Sequence, residues 1–224
     1  MTTILACLFS GGKDSTLALH KVSATGKIPN VLITMNSKND FSYMFHKTNI
    51  EYTSLQAAAM GIKQVFAETD GEKEEELKDL EKVLKDNNVT ELITGAVASK
   101  YQKVRIEALC NKLSIKHISP LWHIDPIQEL NELATNFNAI ITQISAEGFN
   151  NSFLGARINN ELIHKLVQVH EKYKINLSFE GGEAETFVLD APMFKKRIAI
   201  KKSSIISNGM VGKFIIEDAM LENK

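Results

Sequence analysis

Short apolar runs alternate with amphipathic segments along most of the chain. Strand-like runs lie at residues 4–9, 31–35, 64–67, 91–94, 115–118 and 139–144. Between them, apolar residues recur at helical spacing at residues 15–25, 48–60, 72–87, 104–113 and 127–136. Strands that alternate with helices in this way predict a parallel sheet with helices on both faces. We therefore expect an α/β, Rossmann-like nucleotide-binding domain over residues 1–145.

The pattern changes after about residue 145. One more helix is predicted at residues 159–172, and β-rich runs follow at residues 197–207 and 211–217. Asn208 and Gly209 join these two runs, and Asn-Gly between alternating apolar segments favours a β-hairpin because both residues tolerate positive φ. The sequence thus predicts a smaller α+β domain over residues 146–224, and we expect it to contribute the substrate site.

Composition narrows the class of protein. The chain has 224 residues, 44% of them hydrophobic, which is enough for a sizeable core. Its 26 basic and 27 acidic residues nearly cancel, so the charge balance indicates neither a nucleic acid nor a membrane as partner. Cys7 and Cys110 form no CxxC pair, and no stretch approaches the roughly 20 apolar residues that span a bilayer. We expect a cytoplasmic protein, with the oligomeric state open and a homo-oligomer among the alternatives.

The clearest chemical signal is the loop between the first predicted strand and the first predicted helix. It reads Ser10-Gly11-Gly12-Lys13-Asp14-Ser15. Glycines let the backbone approach an anion closely, and a helix N-terminus presents free N–H groups with a favourable dipole. Lys13 adds a positive charge, and Ser10 and Ser15 add hydroxyl donors. The loop is not a Walker A motif, which has Ser or Thr after the Lys, and it is not GxGxxG.

This hexapeptide resembles the phosphate loop of the N-type ATP pyrophosphatases, a group that contains GMP synthetase, NAD synthetase, argininosuccinate synthetase and several tRNA-modifying enzymes. The resemblance implies that a substrate oxygen is adenylylated, that pyrophosphate leaves, and that a second nucleophile displaces AMP. ATP is then the co-substrate. Mg²⁺ is expected to screen the charge of the departing pyrophosphate, with Lys13 and Asp14 catalytic and Asp14 helping to place the metal.

Three further segments narrow the substrate. They span residues 44–50, residues 95–107 with Pro120-Leu121-Trp122 after them, and residues 180–194. Together with the phosphate loop, in this order and at these spacings, they resemble the diphthine–ammonia ligase family, which completes diphthamide on translation elongation factor 2. The resemblance implies that elongation factor as protein substrate and ammonium as nitrogen source. Departures are Phe179 and Ala191, where the family usually has Gly, and Ala184, where it usually has Tyr.

The resemblance also implies a set of site residues. His46 and Gly95 join the loop as nucleotide-binding candidates. The substrate-binding candidates are Ser99, Tyr101, Gln102, Arg105, Trp122, Glu180, Gly181, Gly182, Glu183, Glu185 and Thr186. Among these, Glu183 and Glu185 are the catalytic candidates, since carboxylates hold ammonium, accept its proton or face a quaternary ammonium. Aromatic faces bind quaternary cations, so Tyr101, Trp122 and Phe187 form a candidate cage.

Other interpretations stay open at this point. A tRNA-modifying ATP pyrophosphatase would need paired catalytic cysteines or a basic RNA-binding appendage. A non-catalytic ATP-binding protein of the universal stress type would leave the glutamate-rich segment unexplained. At single positions, Gly181-Gly182 equally suits a tight turn, Trp122 a core residue, and Arg105 a surface ion pair.

Overall fold

The first layer of the molecule is a five-stranded parallel sheet. The computed structural model describes residues 3–37, 48–71, 75–209 and 211–224. The strands of this sheet are β1 (Leu5–Leu8), β2 (Val31–Ser37), β3 (Lys63–Thr69), β4 (Glu91–Ile93) and β5 (Lys116–Ile118). Their spatial order is β3-β2-β1-β4-β5, and every neighbouring pair is parallel. The predicted α/β class with a parallel sheet is confirmed.

Helices cover both faces of this sheet. They are α1 (Lys13–Ser23), α2 (Thr53–Met60), α3 (Glu75–Asp86) and α4 (Lys100–Lys112). Two further helices, α5 (Pro126–Asn136) and α6 (Asn160–Tyr173), pack against each other. Successive residues of β1 show the two-sided burial. Leu5 and Cys7 belong to one apolar cluster, whereas Ala6 belongs to the other. Alternate side chains of a strand point to opposite faces, so both faces of β1 are packed.

The second layer is an antiparallel sheet. Its strands are β6 (Asn138–Ile144), β7 (Ala184–Asp190), β8 (Lys196–Ser207) and β9 (Gly212–Asn223), in the order β7-β6-β9-β8. The predicted hairpin is confirmed, with the Asn208 N–H donating to the Val211 carbonyl at 3.1 Å and Gly209 at φ +86°. Both hairpin strands have 12 residues, so β9 extends beyond the predicted run.

One strand was assigned to the wrong sheet. Residues 139–144 were predicted as the last strand of the parallel series, but β6 pairs antiparallel with β7 and β9. Residues 139–142 are buried on both faces, and a continuously apolar run looks the same in a buried parallel strand and in a covered antiparallel one. The chain therefore leaves the first sheet between β5 and β6. The division of domains at residue 145 stays a prediction.

The helix boundaries also differ in detail. A single 3-10 turn, Ile50–Tyr52, precedes α2, so the α-helix itself begins later than predicted. Helix α4 begins four residues before the predicted start at residue 104, because Ser99 caps it by accepting a hydrogen bond from the Gln102 N–H at 3.4 Å. Over the described ranges, no helix combines the length and the apolar character needed to cross a membrane.

Candidate active site

The phosphate loop joins β1 to α1 at the reversal of strand order in the parallel sheet. Strand order runs outward from β1 to β2 and β3 on one side and to β4 and β5 on the other. Ligands of such sheets bind outside the carboxyl ends of the strands at this switch point. Gly11 makes the sharp turn at φ +74°, and Gly12 is the extended N-cap of α1. The loop therefore has the position and backbone geometry of an anion site.

Hydroxyl groups inside the loop hold its shape. The Ser10 N–H donates to Ser15 Oγ at 3.3 Å, and the two serine Oγ atoms lie 3.2 Å apart. The Ser15 and Thr16 hydroxyls both donate to the Gly12 carbonyl, at 3.2 and 2.8 Å. The first turn of α1 is thereby fixed around the N–H groups that would face a phosphate.

Strand β7 forms one wall of the phosphate loop. Thr186 Oγ1 accepts from the Lys13 N–H at 3.0 Å, across 173 residues of sequence. The Val188 N–H donates to the Gly11 carbonyl at 3.0 Å. The buried Gln56 amide donates to the carbonyls of both Gly11 and Val188, at 2.9 and 2.7 Å. The glutamate-rich third segment is thus hydrogen-bonded directly to the loop.

The second segment borders the same crevice. A Cβ placed on Gly95, just after β4, would lie 2.7 Å from the Asp14 carbonyl carbon and from the Ser15 nitrogen. Only glycine lets the chain pass this close to the first turn of α1. Two residues later, the Val97 N–H donates to Glu180 Oε1 at 2.9 Å. The loop, the second segment and the third segment therefore meet at one place.

The three glutamates of the third segment have different surroundings. Glu183 uses both oxygens, accepting from the Asn176 N–H and from the Gly181 N–H at 2.9 Å each. Glu180 accepts from Val97 through Oε1, and Glu185 accepts from the Thr48 N–H through Oε2 at 2.8 Å. Among the contacts of the described residues, Glu180 and Glu185 each keep one oxygen for a ligand. The geometry favours a loop-holding role for Glu183.

Gly181 and Gly182 are exposed and form a tight turn. The Gly182 N–H donates to the Phe179 carbonyl at 3.1 Å, and Gly182 has φ +81°. The Ser145 hydroxyl donates to the Gly182 carbonyl. The turn interpretation of this dipeptide therefore holds, and the turn places Glu180 beside the second segment.

Two of the three aromatic candidates for the cage lie next to positively charged side chains of this protein. The exposed Tyr101 ring lies 4.5 Å from the Arg105 guanidinium carbon, and Lys103 Nζ lies 4.0 Å from the half-buried Trp122 ring. Phe187 is 1% exposed and belongs to the core, so the prediction that it forms part of an open cage is wrong. Tyr101 and Trp122 remain candidates, with rings that already accept cations. His46 lies outside the described residues.

Lys13 has a buried partner that was not predicted. Its Nζ lies 2.7 Å from Glu129 Oε1 on α5 and also contacts Asp14 Oδ1; the Lys13 and Glu129 side chains are 1% and 0% exposed. Burial would lower the pKa of the Lys13 ammonium, but the two carboxylates outweigh it and hold that pKa above its usual value. Burial raises the pKa of the Glu129 carboxyl, with Lys13 opposing the rise.

The sequence does contain a signal for Glu129. In α5 the buried residues are Glu129, Leu130 and Leu133, so a carboxylate occupies the apolar face of an amphipathic helix. A charge at such a position needs a partner from another element. The partner itself is not readable from the pattern, because Lys13 precedes Glu129 by 116 residues.

The residues beside the loop fit a shared Mg²⁺ ion. Within the described ranges, no three His, Cys, Asp or Glu residues cluster as a self-sufficient metal site. Mg²⁺ in ATP-using enzymes is commonly held by one or two carboxylates together with substrate phosphates. Asp14, 36% exposed at the first turn of α1, supplies such a carboxylate next to the phosphate loop. Glu129 is buried beside Asp14, and the Asp14 charge adds to the raised pKa of the Glu129 carboxyl.

Comparison with known proteins covers nearly the whole chain. The diphthamide synthase N-terminal domain matches residues 3–117, and the diphthamide synthase C-terminal domain matches residues 125–221. The chain belongs to the diphthamide synthase family. Similar family members include diphthine–ammonia ligases of Homo sapiens, 29% identical over 90% of this chain and 84% of that protein, and of Danio rerio, 31% identical over 89% and 87%. A third, from Schizosaccharomyces pombe, is 28% identical over 90% of this chain and 36% of its own length.

A solved structure is also similar to this member of the diphthamide synthase family, with lower sequence identity. It is described as a predicted subunit of tRNA methyltransferase from Methanocaldococcus jannaschii. The match covers 85% of this chain and 98% of that chain, with 19% identity and a TM-score of 0.48.

The fold explains one departure from the usual diphthamide synthase pattern. Phe179, where Gly is usual, has φ +63°, the left-handed conformation that costs a non-glycine residue about 1–2 kcal/mol. Its ring is buried, with its centroid 6.4 Å from that of Phe149 and 5.5 Å from Lys13 Nζ. The backbone has a conformation that glycine adopts without strain, and burial of the Phe179 ring offsets the cost. Ala184 is buried at the start of β7.

Proposed function

We propose that this protein amidates diphthine on translation elongation factor 2, converting ATP to AMP and pyrophosphate. Membership in the diphthamide synthase family supports this function, as do relatives named diphthine–ammonia ligase. The observation that carries the proposal is the hydrogen bonding of the glutamate-rich third segment to the phosphate loop through Thr186 and Val188 of β7. A site built this way brings an adenylylating loop and a carboxylate-lined substrate surface together.

The first half of the reaction activates the diphthine carboxylate. One of its oxygens attacks the α-phosphate of ATP, the bond to the β-phosphate breaks, and pyrophosphate leaves with its electron pair. The N–H groups at the start of α1 other than that of Lys13, together with the serine hydroxyls of the loop, stabilise the phosphate charge, and the Lys13 side chain neutralises part of it. Mg²⁺, held by Asp14 together with phosphate oxygens, would supply further charge screening. Gly95 keeps the second segment against this turn, and His46 remains a nucleotide-binding candidate.

The second half forms the amide. Ammonia attacks the acyl carbon, a C–N bond forms, the C–O bond to AMP breaks, and the nitrogen releases a proton. A carboxylate that accepts this proton needs an oxygen that does not already accept a hydrogen bond from a backbone N–H. Glu180 and Glu185 meet that condition, so we assign the base and ammonium roles to this pair and a structural role to Glu183.

The trimethylammonium group of diphthine needs a complementary surface. Tyr101 and Trp122 supply aromatic faces at the start of α4 and after β5, and both faces already lie near cations. Arg105, Ser99 and Gln102 are the remaining substrate candidates on this helix start. We propose that the diphthine side chain enters between this surface and the Gly181–Gly182 turn.

The burial of both cysteines argues against sulfur transfer, the reaction of the alternative tRNA-modifying function. Cys7 and Cys110 are buried and unpaired with each other, and burial raises the pKa of Cys110 to about 11. A thiolation enzyme needs an accessible thiolate. We also propose a cytoplasmic location, because the protein substrate is a translation factor.

The proposed function predicts AMP release that needs both other substrates. Purified protein should release AMP from ATP only with ammonium and diphthine-bearing elongation factor 2 present, as measured by chromatography of the nucleotides. Lys13→Ala should abolish the release. Lys21→Ala is the matched control, because Lys21 lies on the same helix but pairs with Glu132 at the surface. AMP release that ignores ammonium, or that survives in Lys13→Ala, would contradict the proposal.

A further inference from the structure

The ammonium group of Lys13 is enclosed on several sides. Asp14 from the same turn and Glu129 from α5 contact it, and the Phe179 ring centroid lies 5.5 Å away. With 1% of the Lys13 side chain exposed, the group has no open path to a ligand in the crevice. The lysine of the phosphate loop is therefore held inside the protein by an ion pair.

This enclosure conflicts with the task that the proposed function gives to Lys13. Lys13 Nζ already contacts the Asp14 and Glu129 carboxylates, and its burial keeps the third N–H of the ammonium group from a phosphate oxygen in the crevice while Glu129 holds it. The backbone N–H groups of the loop lie at the helix start, whereas Lys13 Nζ contacts Glu129, a side chain with 0% exposure. Contact with phosphate requires Lys13 to leave Glu129.

We propose that Glu129 is a positioning residue that sets the affinity for ATP, because Lys13 must exchange this carboxylate for the phosphates. The inference rests on the proposed function of the loop. When Lys13 leaves, Glu129 stays buried beside the carboxylate of Asp14 without its cation. Glu129 must then either keep an unpaired buried charge or take up a proton, and the cost of either outcome is subtracted from the free energy of ATP binding. Glu129 thus acts through Lys13 and touches no substrate.

Two substitutions remove the charge in different ways. Glu129→Gln keeps the shape of the side chain, and Glu129→Leu suits the apolar face that Leu130 and Leu133 form on α5. Both should lower the Kd of Mg²⁺-ATP by about tenfold, because ATP binding no longer strands a buried charge. Glu132→Gln is the matched control on the same helix; its carboxylate pairs with Lys21 at the surface, and the Kd should stay unchanged.

The measurement is isothermal titration of the full-length protein with Mg²⁺-ATP, without the elongation factor, alongside thermal unfolding of each variant. Glu129→Gln should unfold at a lower temperature than wild type and yet bind ATP more tightly. Purely structural damage would weaken both properties. Equal or weaker ATP binding by both Glu129 variants would overturn the inference and leave the proposed function standing. If wild type does not bind ATP, the proposed function fails and the inference fails with it.

A second measurement needs no variant. A crystal structure of the wild-type protein with ATP bound should show Lys13 Nζ on a phosphate oxygen and beyond hydrogen-bonding distance of Glu129. Lys13 still paired with Glu129 in that complex would overturn the inference.

Discussion

At the scale of single residues, Gly11 shows how the phosphate loop constrains its sequence. Its φ of +74° suits glycine, and a Cβ there would press against the Gln56 side chain and lie 2.8 Å from the Thr53 methyl carbon. Gly26 provides a comparison, since it has φ +88° but nothing within 4 Å of an added Cβ. The two positions share the backbone strain and differ in the steric clash.

Gly11→Ala should therefore cost more stability than Gly26→Ala. The backbone strain is common to both variants, whereas the clash with the side chains of α2 adds about 1–3 kcal/mol at Gly11 alone. Urea unfolding monitored by circular dichroism measures the difference. Equal midpoints for the two variants would show that the loop has more room than the structure indicates.

The glutamates of the third segment separate into two kinds by their hydrogen bonds. Glu183→Gln should lower the free energy of unfolding by about 1–2 kcal/mol, because the amide NH₂ group cannot accept from a backbone N–H. Glu180→Gln is the comparison, since the amide oxygen can keep the single bond to Val97. Chemical unfolding gives the stability, and AMP release gives the rate. A Glu183→Gln protein of wild-type stability would reject the loop-holding role.

Single residues also mark the limit of prediction from the sequence. The hexapeptide around Lys13 was recognisable because its residue types and its place after a strand are local features. The loop-holding role of Glu183 was not, because an acidic residue in a turn looks the same whether it binds substrate or backbone. Glu129 was missed for a related reason, since its partner is set by the packing of α5 against α1.

At the scale of elements, strand β7 is the connection between the two sheets and the site. It pairs with β6 in the antiparallel sheet and donates from Val188 to Gly11 in the phosphate loop. Thr186 completes the contact by accepting the Lys13 N–H at the start of α1. This arrangement makes the start of α1 dependent on a strand far along the chain.

Thr186→Val should weaken the phosphate loop without a change in side-chain shape. The Lys13 N–H loses its acceptor, which should cost about 1 kcal/mol of stability and raise the KM for ATP. Thr186→Ser retains the hydroxyl and should restore most of both properties. Steady-state kinetics with ATP varied, together with thermal unfolding, distinguishes the variants. Identical KM values for Val and Ser at this position would contradict a role for the hydroxyl.

The elements themselves were largely predictable, but their pairing was not. Apolar runs at period 2 and period 3.6 located the strands and helices, and Asn208-Gly209 located the hairpin. The direction of β6 was predicted wrongly, because burial on both faces removes the alternation that distinguishes an antiparallel strand. The pairing of β7 with the phosphate loop depends on tertiary packing over 173 residues of separation, which no local pattern contains.

At the scale of the whole molecule, the two sheets contribute different parts of one site. The parallel sheet supplies the phosphate loop at the strand-order reversal between β1 and β4, and the antiparallel sheet supplies Glu185 and Thr186 on β7, with Glu180 in the turn before that strand. Glu180 and Thr186 connect these parts by hydrogen bonds to Val97 and Lys13. The central claim is that this joint site adenylylates a carboxylate and then forms an amide.

The transfer of oxygen between substrate and nucleotide tests that claim most directly. The diphthine carboxylate of elongation factor 2 is labelled with the heavy oxygen isotope. The labelled factor is incubated with the protein, ATP and ammonium, and the nucleotide products are analysed by mass spectrometry. Attack of the carboxylate on the α-phosphate predicts one labelled oxygen in each AMP and a diphthamide product of equal amount. Unlabelled AMP, or label in inorganic phosphate together with ADP, would contradict the account.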